Sequence, residues 1–435
     1  MAQACRSCLT SVIADREQGV HIGRMSPAKS QPVFNPDKVL ARPAANGLRD
    51  LLKVARKASD MDCGGLMSSV LRGCRKRAHP IRKFSEYNIL NPWRPTVLAR
   101  FLMDLSIPAM PESTPDLARM LLPPLVNRRF WRPTGFFQQP DEYAGVCSFP
   151  NEHWFFINGI ATNADVAHYN SAYLAHLFHR PVTVVQNATC SLTADLLECM
   201  VGKGLQLCDK SIMTEPAWRA AAAILEALNS IAIKHVIVIA HSQGTIIMSN
   251  VLTVIGEALK SDLAQQEEPM WHSFIRELMG TVETESQKVL RNSLAHALAE
   301  FTRDRSAHVM DRLKKLEIFT FANCADKMRY VHTSQSIPYM EHFANELDWV
   351  ARLGILSPLR GDSEATIEID GPVFEQKGEW GHLLNEHYLT AIDDYLYPGA
   401  EPYNREQNPF PPVGNGAGKS RLYDYFHGKS PKALW

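Results

Sequence analysis

The sequence predicts an α/β fold with a mostly parallel, doubly wound sheet, a helical insertion and a mostly helical N-terminal extension. Three observations carry this expectation. From about residue 153, short β-branched and aromatic runs alternate with amphipathic stretches of helical length, the pattern of strands joined by helical crossovers. The run Val236-Ile237-Val238-Ile239-Ala240 is apolar at every position, as a strand covered on both faces must be. Residues 261–315 then break the alternation with helical sequence alone, before strand-like runs return.

The elements follow in order. Residues 1–85 form an N-terminal extension, partly disordered, with a helix over Leu48 to Ala58 and the basic stretch LRGCRKRAHPIRK (71–83), which reads as a solvated connector. Residues 86–145 form a Pro-rich helical connector that packs on the core through TVLARFLMDL and DLARMLLPPL. The main domain spans 146–400. HWFFING is a strand ending at Asn158-Gly159, and NADVAHYNSAYLAHLFH is an amphipathic helix closed by Arg180-Pro181. VTVVQNA is the next strand and LTADLLECMVGKG a helix stopped by glycine. EPAWRAAAAILEALNSI is a long helix with Thr214 as N-cap and Pro216 in its first turn. HVIVIA leads into a helix from Thr245 to Lys260, and the insertion at 261–315 forms a helical cap. Trp271, Phe274, Ile275, Leu278 and Met279 of that cap fall at near-helical spacing, suited either to packing on the sheet edge or to meeting an acyl chain. LEIFTFANC, IPYMEHFAN and TIEIDGPVFE are the later strands, and 401–435 is a C-terminal tail.

Composition narrows the function classes. Lys plus Arg and Asp plus Glu both number 46, so no overall charge favours nucleic acid or an anionic membrane surface. No 18-residue apolar run predicts an integral membrane segment. The nine cysteines are scattered without disulfide-scaffold spacing, which fits thiols in a reducing compartment. Cys5-x-x-Cys8 stands alone, without a second pair at metal-ligand spacing. The expectation is a soluble cytoplasmic protein; Asp15 and Glu17 weigh against a mitochondrial presequence, while Arg6, Arg16 and Arg24 keep one open.

The chemistry concentrates in VIAHSQGTI (238–246). A serine between a buried strand and a helix is held at the carboxyl edge of the sheet with its hydroxyl exposed, beside backbone N–H groups at the helix start. Ala240-His241-Ser242-Gln243-Gly244 departs from the nucleophile-elbow pattern G-x-S-x-G only by alanine in the first glycine position. The other reading is an ordinary structural turn. A serine needs a histidine to take its proton and a carboxylate to orient that histidine, and in α/β-hydrolases the chain order is Ser, acid, His. Asp326 and Asp348 compete as the acid, and His382 and His387 as the base.

Asn345-Glu346-Leu347-Asp348-Trp349-Val350 resembles the N-x-x-D-x-V-like acid segment of class 3 lipases and neighbouring α/β-hydrolases, and LEIFTFANCADKM resembles their preceding strand and loop. His382 to Glu386 repeats the spacing of the histidine segment in those lipases. The likeness covers about residues 150 to 400. It implies an α/β-hydrolase fold, with Ser242 as nucleophile, Asp348 as acid ahead of Asp326, and His382 as base ahead of His387. The backbone of Gln243 should supply one oxyanion donor. The second should come from the loop after the first core strand, at Gly159-Ile160, where Asn158 stands in place of the relatives' histidine. His241 is expected against neighbouring strands or the pocket wall.

His168, His176 and His179 share a helix but have no carboxylate or cysteine at ligand spacing, so no metal is expected. The absence of G-x-G-x-x-G and of a phosphate-binding glycine-lysine loop removes dinucleotide and nucleoside triphosphate readings. The expectation is a serine hydrolase of carboxylic, lipid-like esters that needs no cofactor and takes a small-molecule or lipid ester as its partner; the oligomeric state is left open. The alternatives are acyl transfer or amide hydrolysis by the same triad, or an inert scaffold that binds a ligand or protein.

Overall fold

The computed structural model describes residues 83–106, 136–139, 149–160, 162–187, 214–260, 275, 285–303, 308–357, 367–396, 407–414 and 418–435. The helices expected over 48–58, 116–125 and 192–204, the Cys5/Cys8 pair, and Trp271, Phe274, Leu278 and Met279 lie outside them.

In chain order the elements are α1 (Pro95–Ser106), β1 (Phe136–Gln139), β2 (Glu152–Ile157), α2 (Ala164–Phe178), β3 (Val182–Val185), α3 (Glu215–Asn229), β4 (His235–His241) and α4 (Gln243–Lys260). There follow α5 (Glu285–Thr302), α6 (His308–Lys314), β5 (Leu316–Phe321), β6 (Lys327–Met328), β7 (Tyr339–Asn345), α7 (Trp349–Leu353), β8 (Glu368–Ile369), β9 (Val373–Gln376), a π-helical turn over Leu384–Leu389, and α8 (Thr390–Leu396). Seven strands form one sheet in the order β1-β3-β2-β4-β5-β7-β9. Six of these run parallel, and β1 pairs antiparallel with β3 at the edge. The molecule is thus of the α/β class.

Both faces of the sheet are covered, which explains the unbroken apolar run of β4. Val236, Val238 and Ala240 face a core built with Trp218 and Leu225 of α3, Val251 of α4 and Leu294, Leu298 and Phe301 of α5. Ile237 and Ile239 face the other side, against Tyr169 and Phe178 of α2, Val97 of α1, Ile392 of α8 and Tyr425 near the C-terminus. Alternate residues of a strand point to opposite faces, so this split follows from the pleat. The described part of the insertion, α5 and α6 with Ile275, belongs to the first of these cores.

Local signals set the helix boundaries. Asn163 caps α2 by accepting from the Val166 N–H (3.0 Å). Thr214 is the N-cap residue of α3 without a side-chain cap bond, and proline occupies the first turn. TIEIDGPVFE is not one strand. Gly371, at φ +108°, and Pro372 interrupt it, so Glu368–Ile369 pairs with β6 and Val373–Gln376 joins the main sheet. Residues 418–435 are packed into the molecule through buried Leu422, Tyr423 and Phe426. Among the described residues no helix is long and apolar enough to cross a membrane. Cys324, the one cysteine among them, is a buried thiol.

The sheet order fixes where a site can form. From β2 the chain steps to β3 on one side and then crosses to β4 on the other. The loops after β2 and β4 therefore diverge at a topological switch point, where α/β sheets hold ligands at the carboxyl ends of their strands.

Candidate active site

Ser242 occupies the turn between β4 and α4 with φ +55°, a left-handed conformation that costs a non-glycine residue on the order of 1 kcal/mol. Neighbouring backbone holds it there. Its N–H donates to the Phe321 carbonyl (3.0 Å), and its carbonyl accepts from the Thr245 N–H (2.8 Å) and Oγ1 (2.7 Å). Gly244 is required because any Cβ there would run into the Ile157 carbonyl, whereas Ala240 buries its methyl in the core between sheet and helices. The alanine that departs from the motif thus stands where a methyl is accommodated.

Three side chains converge on this turn. His382 Nε2 lies 2.9 Å from Ser242 Oγ, and His382 Nδ1 lies 2.9 and 3.2 Å from the two Asp348 oxygens. Asp348 is buried, caps α7 by accepting from the Val350 N–H (2.9 Å), and accepts from the Tyr388 hydroxyl (2.7 Å). Burial pushes its carboxyl upward, but His382, Tyr388 and the Val350 N–H outweigh burial and hold it below the usual carboxylate range. Burial, and then the charge of Asp348, raises the Tyr388 phenol well above its ordinary value, so it remains a donor. An ionised acceptor on Nδ1 fixes the proton there and leaves the Nε2 lone pair for the serine.

Both ring nitrogens of His382 are thereby occupied, by Ser242 and Asp348. Asp326 is buried in the loop after β5, where its carbonyl accepts from the Glu368 N–H (2.7 Å). His387 uses Nδ1 to accept from the Leu383 N–H (2.9 Å) and places Nε2 against the Tyr87 hydroxyl (3.1 Å). Its ring lies against Gly381, where a Cβ would overlap it.

The loop after β2 faces Ser242. A Cβ on Gly159 would lie 2.6 Å from Ser242 Cβ and 3.1 Å from its Oγ, so only glycine permits this approach. Asn158 ties that loop to the one after β3: its Oδ1 accepts from the Asn187 N–H (2.9 Å), and its Nδ2 donates to the carbonyls of Gly159 (2.9 Å) and Asn187 (3.0 Å). Asn187 Nδ2 in turn donates to the Gln243 side chain. Gly159 thus lies against Ser242 with Ile160 next in that loop, and Gln243 follows the serine as the first residue of α4, braced through Asn187 to the loop after β3.

Two contributors were not indicated by motif or spacing. Tyr388 is the second side-chain donor to Asp348. His241, buried, has Nε2 2.8 Å from the His382 carbonyl, and the rings stand 4.8 Å apart. A carbonyl only accepts, so Nε2 carries the proton. Burial, reinforced by the neighbouring His382, pushes His241 down to about 3 and keeps it neutral. Of the histidines in this region, His176 of α2 packs against Phe84 and Tyr173, and His179, the C-cap residue of α2, stacks on His427. No family model, no curated protein and no solved structure matches the chain.

Proposed function

We propose that the protein is a serine hydrolase of the α/β-hydrolase fold that cleaves carboxylic esters through an acyl-enzyme. One observation carries this reading: the continuous Ser242–His382–Asp348 relay, at 2.9 Å for each of its two links, on a turn that holds the serine at positive φ. Its position at the switch point of the parallel sheet supports the fold assignment.

In this mechanism Ser242 Oγ attacks the ester carbonyl as its proton passes to His382 Nε2, and Asp348 stabilises the imidazolium. The carbonyl oxygen becomes an oxyanion received by the Gln243 N–H and the backbone at Gly159-Ile160. His382 returns the proton to the leaving alkoxide as the C–O bond breaks. Water then repeats the sequence on the acyl-serine, releasing the acid and restoring Ser242.

An apolar rim favours lipid-like esters. Leu347, Trp349 and Leu353 bracket Asp348 and its helix and are each about half exposed, and the Trp349 ring stands 6.3 Å from that of His382. Exposed apolar residues grouped beside a reactive centre suit an acyl chain better than a polar substrate.

A fluorophosphonate probe tests the chemistry: wild type should label on Ser242, and Ser242→Ala should not. A folded wild-type protein that never labels would sink the hydrolase reading and leave the scaffold. Trp349→Ala should lower kcat/KM for long-chain esters by about tenfold while sparing acetate esters, because only long chains lose apolar contact. Equal losses on both would remove the lipid assignment.

A further inference from the structure

The loop that carries His382 is fixed from several directions. Asn345 Nδ2 donates to the carbonyls of Gly381 (3.1 Å) and His387 (3.3 Å), and His241 donates to the carbonyl of His382 itself. A further attachment comes from a segment about 300 residues earlier in the chain. Glu86, in a 3-10 turn capped by Ser85, accepts from the backbone N–H groups of Asn385 (3.1 Å) and Glu386 (3.2 Å) at the start of the π-helical turn. Its other oxygen accepts from Asn170 Nδ2 (2.8 Å) of α2. The neighbours of Glu86 reinforce it: the Phe84 carbonyl accepts from Asn385 Nδ2 (2.7 Å), Ser85 Oγ donates to Glu386 (2.7 Å), and Tyr87 meets His387.

We propose that Glu86 is a positioning residue for His382, its carboxylate gripping the first turn after the histidine and so fixing the distance between Nε2 and Ser242 Oγ. This inference rests on the serine-hydrolase reading of Ser242. Helix starts leave N–H groups without intrahelical partners, and a carboxylate is the strongest acceptor for them. The grip acts at Asn385 and Glu386, only three and four residues beyond the base. Burial, aided by the like charge of Glu386 and opposed by the Asn170 and backbone N–H donors, pushes the buried Glu86 carboxyl up to about 7, so the gripping carboxylate is the form that prevails above that pH. A carboxylate kept in such surroundings costs stability, and a glutamine would fill the same space without charge. A buried acceptor of two N–H groups at this place suits a demand for rigidity at the base, since misplacing a catalytic group by about 1 Å costs about 10²-fold in rate.

The test follows fluorophosphonate labelling of Ser242 in the full-length chain, together with hydrogen–deuterium exchange over residues 381–389. Glu86→Ala should slow labelling about 10²-fold with an unchanged final labelled fraction, and should raise exchange in that segment. Glu86→Gln, which keeps one accepting oxygen, should recover about tenfold of the loss and stay about tenfold below wild type. Glu341→Gln, an equally buried acid away from this loop, controls for general destabilisation and should leave both readings alone. A loss of folded protein lowers the final fraction rather than the rate constant, so the two effects separate. A wild-type labelling rate in Glu86→Ala overturns the proposal whatever the exchange does. If Glu86→Ala does not fold, an exchange pattern and rate in Glu86→Gln equal to Glu341→Gln overturn it instead. If wild type itself never labels, the hydrolase reading falls separately, and exchange decides: unchanged protection over 381–389 in Glu86→Ala rejects the grip, and lost protection upholds it.

Discussion

Buried carboxylates sit towards both ends of the strands, and they are held differently. Near the amino ends, Glu317 receives Arg421 through Nε (2.8 Å) and Nη2 (3.0 Å), and Glu152 receives Arg180 through Nε (2.8 Å) and Nη2 (3.2 Å). The same arginines donate to the carbonyls of Lys432 and Lys429 (both 2.7 Å), so the C-terminal segment is bolted to the sheet. Beyond the carboxyl ends, Asp348 receives a histidine and a phenol instead. Glu317, like Asp348, is driven up by burial and brought below its usual range by its donors. The two acids differ little; their partners differ greatly. A guanidinium keeps its charge at every relevant pH, whereas an imidazole can give and take a proton, and His382 has a hydroxyl on its other nitrogen. A permanent cation makes a clasp, and a conditional one makes a relay.

The contrast breaks most sharply in activity. Asp348→Asn should preserve the fold and cut the rate of Ser242 acylation about 10⁴-fold, because the amide no longer holds the His382 tautomer. A loss of under tenfold would show that Asp348 is a clasp as well. The next effect is in stability: Glu317→Ala strands a buried guanidinium and should cost about 3–5 kcal/mol in chemical unfolding, with labelling unslowed while the protein stays folded. An unchanged unfolding midpoint would contradict this.

A smaller effect separates two histidines. Burial holds His153, near the amino edge, at about 4 and His241, at the carboxyl edge, at about 3, both below the ordinary 6.5. The unfolded chain therefore takes up these protons first. Stability is full above about pH 6.5 and falls towards pH 4, by up to about 1.4 kcal/mol per pH unit for each group. His153→Gln and His241→Gln should each flatten that acid limb by about one proton, but only His241→Gln should also slow labelling, several-fold. Equal labelling in the two variants would detach His241 from the relay. The smallest expected effect is that of Asp326→Asn, a labelling rate within about twofold of wild type; a larger fall would return Asp326 to consideration as the acid.

How much of this was legible in the sequence depends on how local each interaction is. The strand, elbow and helix around Ser242 are contiguous, so pattern pointed to the serine, whereas Asp348, which caps the helix it precedes, was separated from Asp326 only by the likeness of 345–350 to the lipase acid segment. The antiparallel edge strand β1 was not legible, since four residues in a Pro-rich stretch carry little periodicity. Nor was the C-terminal clasp, because Arg421 meets Glu317 across 104 positions with no recurring pattern to link them. His241 looked like a wall residue because its acceptor is a backbone carbonyl, which leaves no mark on residue identity. The grip of Glu86 on Asn385 spans 299 positions and was invisible for the same reason.

The distance along the chain between Ser242 and His382 also sets a schedule. The two are separated by 140 residues, with β5, β7 and β9 in between. At roughly 5–20 residues per second, a ribosome needs about 7–28 s to pass from the serine to the histidine. Throughout that interval the nascent chain carries Ser242 without His382, and an unassisted serine hydroxyl is a weak nucleophile. On the proposed serine-hydrolase reading, reactivity would therefore arrive late in synthesis, after most of the sheet that shelters Ser242 has been made.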